Sequence, residues 1–246
     1  MSSEQPSQDP PEAPTGPLLE ETPRERFQSN MKTILGAVLL AIFIRIVLFE
    51  AFEIDGPSME PTLLHGDRVV VAKCLFGLSL PGMNDAVLTW GAPDVGDVVI
   101  AMSPADDVAI VKRVIGVPGD LIEVRDHQVY RNSEPVPTRP SGECTEGSQR
   151  RPESDCTTFE EQLGDHVYQV HRSSNPYNPE PDQPPILIPE GHVFVLGDHR
   201  NQSNDSRNPM VGPIPISRLK GQALFVYLSS SAASGFRPER IGHGID

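Results

Sequence analysis

The sequence predicts a mainly β fold, twisted antiparallel sheets forming one body, preceded by a single N-terminal transmembrane helix. Three observations carry this reading. Twenty-six prolines and twenty glycines with only 6% aromatics favour many short strands and turns over a helical bundle. Short runs rich in Val and Ile recur along the chain, each bounded by Gly, Pro, Asp or Asn. One long apolar run, and only one, lies near the N-terminus.

At 246 residues the chain can bury one sizeable core plus a smaller appendage, but not two large domains. A formal net charge of -14, without any cluster of Lys and Arg, argues against a nucleic-acid partner.

The elements follow in order. Residues 1–30 are dominated by Pro, Glu, Ser and Gln, bury almost nothing, and are expected to form a disordered cytoplasmic tail. Residues 31–49 are expected to form the membrane anchor. Its apolar run, Thr33 to Phe49, is interrupted only by Arg45, whose guanidinium would have to snorkel toward headgroups. Seventeen residues is the lower limit for a span. The competing reading is a core helix, but no polar face recurs between Ile34 and Ile44. A cleaved secretory signal fits worse, because Glu50, Phe52, Glu53 and Asp55 follow the run without a small-x-small site. Arg24, Arg26 and Lys32 precede it, so the body should face outward.

Residues 50–132 and 190–236 should form the β core. Its strand candidates are HGDRVVVAK, VGDVVIAM, VAIVKRVIGV, DLIEVRDHQVYRN, GHVFVLGD and GQALFVYL, with turns marked by Gly66, Gly96, Gly119 and Gly197. Residues 133–189 hold ten prolines and few alternating apolar residues, and read as an inserted, loop-rich extracytoplasmic subdomain or an acidic insert. Cys144 and Cys156 flank one polar loop there and either pair in an oxidising compartment or stay reduced, while Cys74 reads as a packed thiol. Residues 237–246 read as a C-terminal tail.

Three stretches place polar groups against apolar ones: DGPSMEPTL (Asp55 to Leu63), AIVKRVIGVPGD (Ala109 to Asp120) and GDHRNQSNDSR (Gly197 to Arg207). Taken singly each is weak, since a serine in a Gly-Pro turn and an Asx-rich loop are ordinary surface features. Lys112 is more informative, because strand alternation puts it on the face of Ile110 and Val114. If that face is buried, the amine must lose roughly 3 from its ordinary pKa near 10.4, at a cost of about 4 kcal/mol. The bland alternative leaves Lys112 and Arg113 at an edge with both heads in water. A neutral lysine, however, is a competent general base for a serine hydroxyl.

In this order and behind an apolar anchor, SMEPTL, GDRVVVAK, KRVIGVPGD and GDHRNQSNDSR resemble the signature boxes of bacterial type I signal peptidases, which are Ser-Lys dyad serine proteases. The resemblance implies a signal-peptidase-like β body and a membrane-anchored endopeptidase that removes signal peptides from exported preproteins through an acyl-enzyme. Residue by residue it implies Ser58 as nucleophile, Lys112 as general base, Ser203 orienting that lysine, Met59 packed beneath the serine, and Asp205 with Arg207 as a structural pair. Phe52, Ile54, Val69 and Val111 would line pockets for small side chains at substrate positions -1 and -3. The last box departs from the family pattern at His199 and Asn201, so neither receives a catalytic role. Gly56 stands where some members carry an oxyanion-binding serine, and Pro57 has no N–H. The oxyanion hole therefore falls to the Ser58 amide, with a second donor unassigned.

The implied partners are preproteins and a lipid bilayer, with the chain a monomer in the bacterial plasma membrane, spanning it once with its N-terminus cytoplasmic. No cofactor and no metal are expected, because none of the seven histidines has a ligand-spaced partner at i+4 or a clustered cysteine. His65 receives no role, and His127, His166, His171, His192 and His199 are expected at the surface. Two rivals remain. The self-cleaving repressors share the dyad but carry a DNA-binding domain where this chain has an acidic tail. A non-enzymatic membrane-tethered β module scaffolding a partner would make no use of Ser58, Lys112 and Ser203 together.

Overall fold

The Val- and Ile-rich runs form strands because their alternate side chains find apolar partners on a pleated surface. In one such run Val69 and Val71 are buried while Arg68 points to solvent. The computed structural model describes residues 23–44, 48–79, 82–144, 156–173, 181–231 and 235–245. Two compact units make up the chain, divided between Ile42 and Phe43.

The first unit contains all but the last residue of the helix α1, Pro23–Phe43. It opens inside the stretch expected to be disordered, and Pro23 suits that first turn, where a missing N–H costs nothing. Residues 1–22 lie outside the described residues. The first ten residues of α1 are largely polar, so only Thr33 to Phe43 are continuously apolar within it. Among the described residues, no helix is long and apolar enough to cross a membrane. Arg45 lies outside the described residues, and Phe49 already belongs to a strand.

The second unit is built of strands. In chain order they are β1 (Phe49–Glu53), β2 (Asp67–Ala72), β3 (Gly77–Leu78), β4 (Leu88–Thr89), β5 (Val98–Met102), β6 (Ala109–Gly116), β7 (Leu121–Arg125), β8 (Gln128–Arg131) and β9 (Glu134–Pro135). There follow β10 (Thr138–Glu143), β11 (Cys156–Leu163), β12 (His166–Ser173), β13 (Gln183–Leu187), β14 (His192–Leu196), β15 (Ile214–Pro215), β16 (Leu219–Ser231) and β17 (Gly235–Phe236). The largest sheet runs β1-β2-β16-β5-β6-β14-β15, with β17 added to β16. Smaller sheets are β10-β11-β12, β13-β7-β8-β9 and β3-β4. Every ladder between these strands is antiparallel. The architecture is thus mainly β, as the sequence predicts.

Residues 133–189 carry more regular structure than a loop-rich insert. β11 and β12 pair over eight residues, from Cys156↔Ser173 to Leu163↔His166. Polar side chains hide this hairpin in the sequence, for Glu161 is itself buried, opposite Tyr168 in the ladder, and Thr158 is buried as well. Cys144 and Cys156 are joined in a disulfide with Cα atoms 5.4 Å apart, and Cys74 is a half-buried free thiol.

The C-terminal residues are tied down. Buried Asp67 accepts from Ser229 Oγ at 2.6 Å, from Arg237 Nη2 at 3.2 Å and from Arg240 Nη2 at 2.6 Å. Ile245 joins the apolar cluster of Ile54, Met59 and Val69. A buried carboxylate needs such cationic partners, and the last turn supplies them from beyond the expected core.

Candidate active site

The segment from Asp55 to Leu63 is bent into a tight turn, and Gly56 holds φ +104°, a conformation most side chains resist. The Glu60 amide donates to Pro57 O at 3.0 Å and the Leu63 amide to Met59 O at 2.9 Å. Met59 is 1% exposed within the cluster of Ile54, Val69 and Val111, so it anchors the turn and leaves Ser58 half-buried beside it. Phe52 lies opposite Val69 across the β1–β2 ladder and packs against the same cluster. The four residues expected around substrate side chains therefore share one apolar region with Met59.

Lys112 lies on β6, paired with Val99 of β5. Its neighbours in alternation, Ile110 and Val114, both pack in an apolar cluster. The side chain is buried, and so is Arg113, which excludes the edge arrangement with both heads in water. The Lys112 Nζ lies 2.8 Å from Ser58 Oγ and 2.8 Å from the carbonyl oxygen of Val111. Burial lowers the amine's pKa from 10.5 to about 8, because the charged form loses its hydration. Asp205 and Asp198 pull it back up, and Arg207 pushes it down further.

Ser203 is placed differently from expectation. Both bonds of the amine go elsewhere, and the buried Ser203 hydroxyl meets no hydrogen-bond partner among the described residues. It lies near enough to Asp205 to help lower that carboxylate's pKa without forming a bond of normal geometry. Its closest structural constraint is Gly197, where a Cβ would sit 2.3 Å from Ser203 Oγ and 2.4 Å from Ser58 O. Only glycine lets the loop pass so close to the nucleophile turn.

Asp205 and Arg207 hold that loop. Arg207 donates from Nε to Asp205 Oδ1 and from Nη2 to Oδ2, each at 2.8 Å, and from Nη2 to Arg200 O at 2.7 Å. The Gly197 amide donates to Asp205 Oδ2 at 3.0 Å. Burial alone would raise the Asp205 pKa, but Arg207 and these bonds hold it below the usual carboxylate value. The His199 amide completes the tie by donating to Ser58 O at 3.1 Å.

Sequence reasoning missed two further networks. Arg113 donates from Nε and Nη2 to Asp198 at 2.9 and 2.8 Å, Thr62 Oγ1 donates to the same carboxylate at 2.5 Å, and the Arg113 guanidinium stacks 4.0 Å from the Tyr168 ring. Glu161, fully buried, accepts from Arg200, from Arg172 at 2.6 Å and from Tyr168 Oη at 3.0 Å. Burial opposes its charge, yet Arg200 and Arg172 hold its pKa below the ordinary value. Asp198 and Arg200 flank His199 in a motif already singled out, which was the available signal. Nothing in the polar run of β11 marked Glu161.

His171 and His199 are also buried, contrary to their expected surface position, with ring centroids 5.5 Å apart. Glu60 joins them, with one potential ligand atom from each residue within 4.8 Å of the others. A search at i+4 spacing cannot see this group, whose members are far apart in sequence. His65 instead receives the Gly56 amide at Nδ1, 3.3 Å away, and faces Asp55 at 3.2 Å.

Comparison with known proteins bears on what this arrangement is for. The family described as signal peptidase, peptidase S26, matches residues 27–228. A signal peptidase I of Pseudomonas aeruginosa is 32% identical over 210 residues, covering 80% of this chain and 71% of that protein. One from Bacillus licheniformis is 34% identical over 197 residues, covering 80% of this chain and 86% of its own length. Among solved structures, a signal peptidase I from Enterococcus faecalis V583 aligns over 55% of this chain and 98% of that one at 22% identity. Its TM-score of 0.32 is too low to inform the fold.

Proposed function

Since the chain belongs to the signal peptidase family, peptidase S26, and is a serine peptidase of the type I kind, we propose that it cleaves signal peptides from preproteins with Ser58 as nucleophile and Lys112 as general base. The observation that carries the assignment is the 2.8 Å separation of Lys112 Nζ from Ser58 Oγ with the amine buried. With a pKa of about 8, roughly a tenth of the lysine is uncharged at neutral pH, and an uncharged amine accepts the Ser58 proton. The serine oxygen then attacks the scissile carbonyl, and the Ser58 amide stabilises the developing oxyanion. The protonated Lys112 returns its proton to the leaving amine. Water, activated by the same lysine, hydrolyses the acyl-enzyme.

Asp205 and Arg207 act through the loop they brace, which sets Gly197, His199 and Ser203 against the nucleophile turn. The substrate lies extended along a strand edge, with alternate side chains directed to the region of Phe52, Ile54, Val69 and Val111. β1 ends the large sheet and offers such an edge. Small residues at -1 and -3 suit a region already filled by aliphatic groups. The apolar run that begins at Thr33 anchors the chain in the membrane ahead of β1, with 1–30 as cytoplasmic tail and the β body extracytoplasmic, 50–132 and 190–236 forming the catalytic core.

The test is cleavage of a preprotein with alanine at -1 and -3 by the purified full chain in detergent. Ser58→Ala and Lys112→Ala should each abolish turnover while leaving the circular dichroism spectrum unchanged. Substantial turnover by either variant removes the dyad.

A further inference from the structure

We propose that Glu60, His171 and His199 form a binding site for one divalent cation of the zinc class, packed directly behind the nucleophile turn. Two imidazoles and one carboxylate suit zinc and its neighbours cobalt and nickel, and three protein ligands leave one coordination position for water. All three residues are buried, at 4%, 2% and 5% exposure, and one potential ligand atom from each lies within 4.8 Å of the other two. His199 Nδ1 is 3.9 Å from Glu60 Oε2. Donors bound to one tetrahedral ion at about 2.0–2.1 Å sit roughly 3.3 Å apart, so small side-chain rotations close the set onto a metal.

The backbone holds the three positions in place. The His171 amide donates to Asp198 O at 2.9 Å, and His171 and His199 form an isolated β-bridge between β12 and the loop after β14. The His199 amide donates to Ser58 O, and Glu60 lies two residues beyond that serine in the same turn. Three separated segments thus present ligands that are already registered against one another, the condition under which a site needs little reorganisation to bind. An ion held there links the nucleophile turn, β12 and the Gly197–Arg207 loop through bonds that the unfolded chain cannot make, and so favours the folded state.

The experiment uses the chelator-stripped full chain in detergent without reductant, so that Cys144 and Cys156 stay paired and supply no thiolate. Equilibrium dialysis against zinc should give about one ion per chain at roughly micromolar free metal, and zinc should raise the melting temperature. Cobalt(II) should give the visible absorption of a four-coordinate nitrogen and oxygen site. Glu60→Gln and His199→Asn should each weaken zinc at least about tenfold, since each removes one of three ligands. Ser58→Ala should bind zinc as the unsubstituted chain does, which separates this site from the proposed peptidase chemistry. Should a ligand variant misfold, the cobalt spectrum and melting shift of the unsubstituted chain still decide. Failure of that chain to take up zinc, or undiminished uptake by folded Glu60→Gln and His199→Asn, overturns the proposal.

Discussion

Replacing Lys112 by Met removes a charge that the fold carries at a cost. The amine's pKa falls from 10.5 to about 8, which corresponds to about 3 kcal/mol. Below pH 8 the lysine is charged in both folded and unfolded chains, so the full penalty is present. Between pH 8 and 10.5 the folded chain has lost the proton and the unfolded chain still holds it, so stability rises with pH until the penalty is gone. Methionine leaves the Val111 carbonyl without its partner, a loss of about 1 kcal/mol. Lys112→Met should therefore stabilise the protein by about 2 kcal/mol near neutrality and lose that advantage above about pH 10. The clean measurement is denaturant unfolding of Ser58→Ala with and without Lys112→Met at a series of pH values, since both chains are inactive and every other titration cancels. Activity of the unsubstituted chain should rise through pH 8 as the same proton leaves. A Met variant less stable than its parent at every pH, or activity unchanged between about pH 5 and pH 9, would refute the reasoning.

Other expectations follow from the networks around the dyad. Asp205→Asn removes the charge that does most to raise the Lys112 pKa, so residual activity should be lower and its pH midpoint shifted below 8, read from a pH profile of kcat/KM. Gly197→Ala puts a Cβ 2.4 Å from Ser58 O, a backbone atom that cannot rotate away, and should cost about 1–3 kcal/mol in thermal unfolding as well as most activity. Glu161→Gln strips the countercharge from buried Arg200 and Arg172 and should destabilise the chain by about 3–5 kcal/mol by denaturant titration. Glu161 and Asp205 both have lowered pKa values, so the stability they contribute is present above their unfolded values of 4.5 and 3.8 and drains away as pH falls further. An acid titration of Glu161→Gln should show a shallower loss than the unsubstituted chain.

Within the large sheet β2, β5, β6, β14 and β16 were legible because each is a local pattern, whereas β1, β15 and β17 were not anticipated. Val69 and Val71, Val98 to Ile100, and Val193 to Leu196 carry their burial in their own composition. The hairpin of β11 and β12 was not legible, because its buried positions include Glu161, a residue that only a tertiary partner makes buriable. The same reason hides the attachment of the C-terminal residues, where Arg237 and Arg240 reach back to Asp67. It also hides Arg113, which reads as a snorkelling surface residue until Asp198 and Tyr168 are brought to it.

By itself the sequence determined the fold class, the family, and the residue types available for chemistry at Ser58, Lys112, Asp205 and Arg207, since all of these are written in contiguous motifs and in alternation along a strand. Only the tertiary structure decided that the Lys112 amine is dehydrated and in contact with Ser58, that Ser203 gives it no hydrogen bond, and that Glu60, His171 and His199 converge. Desolvation and donor geometry depend on which distant segments close around a group, and no local pattern records that.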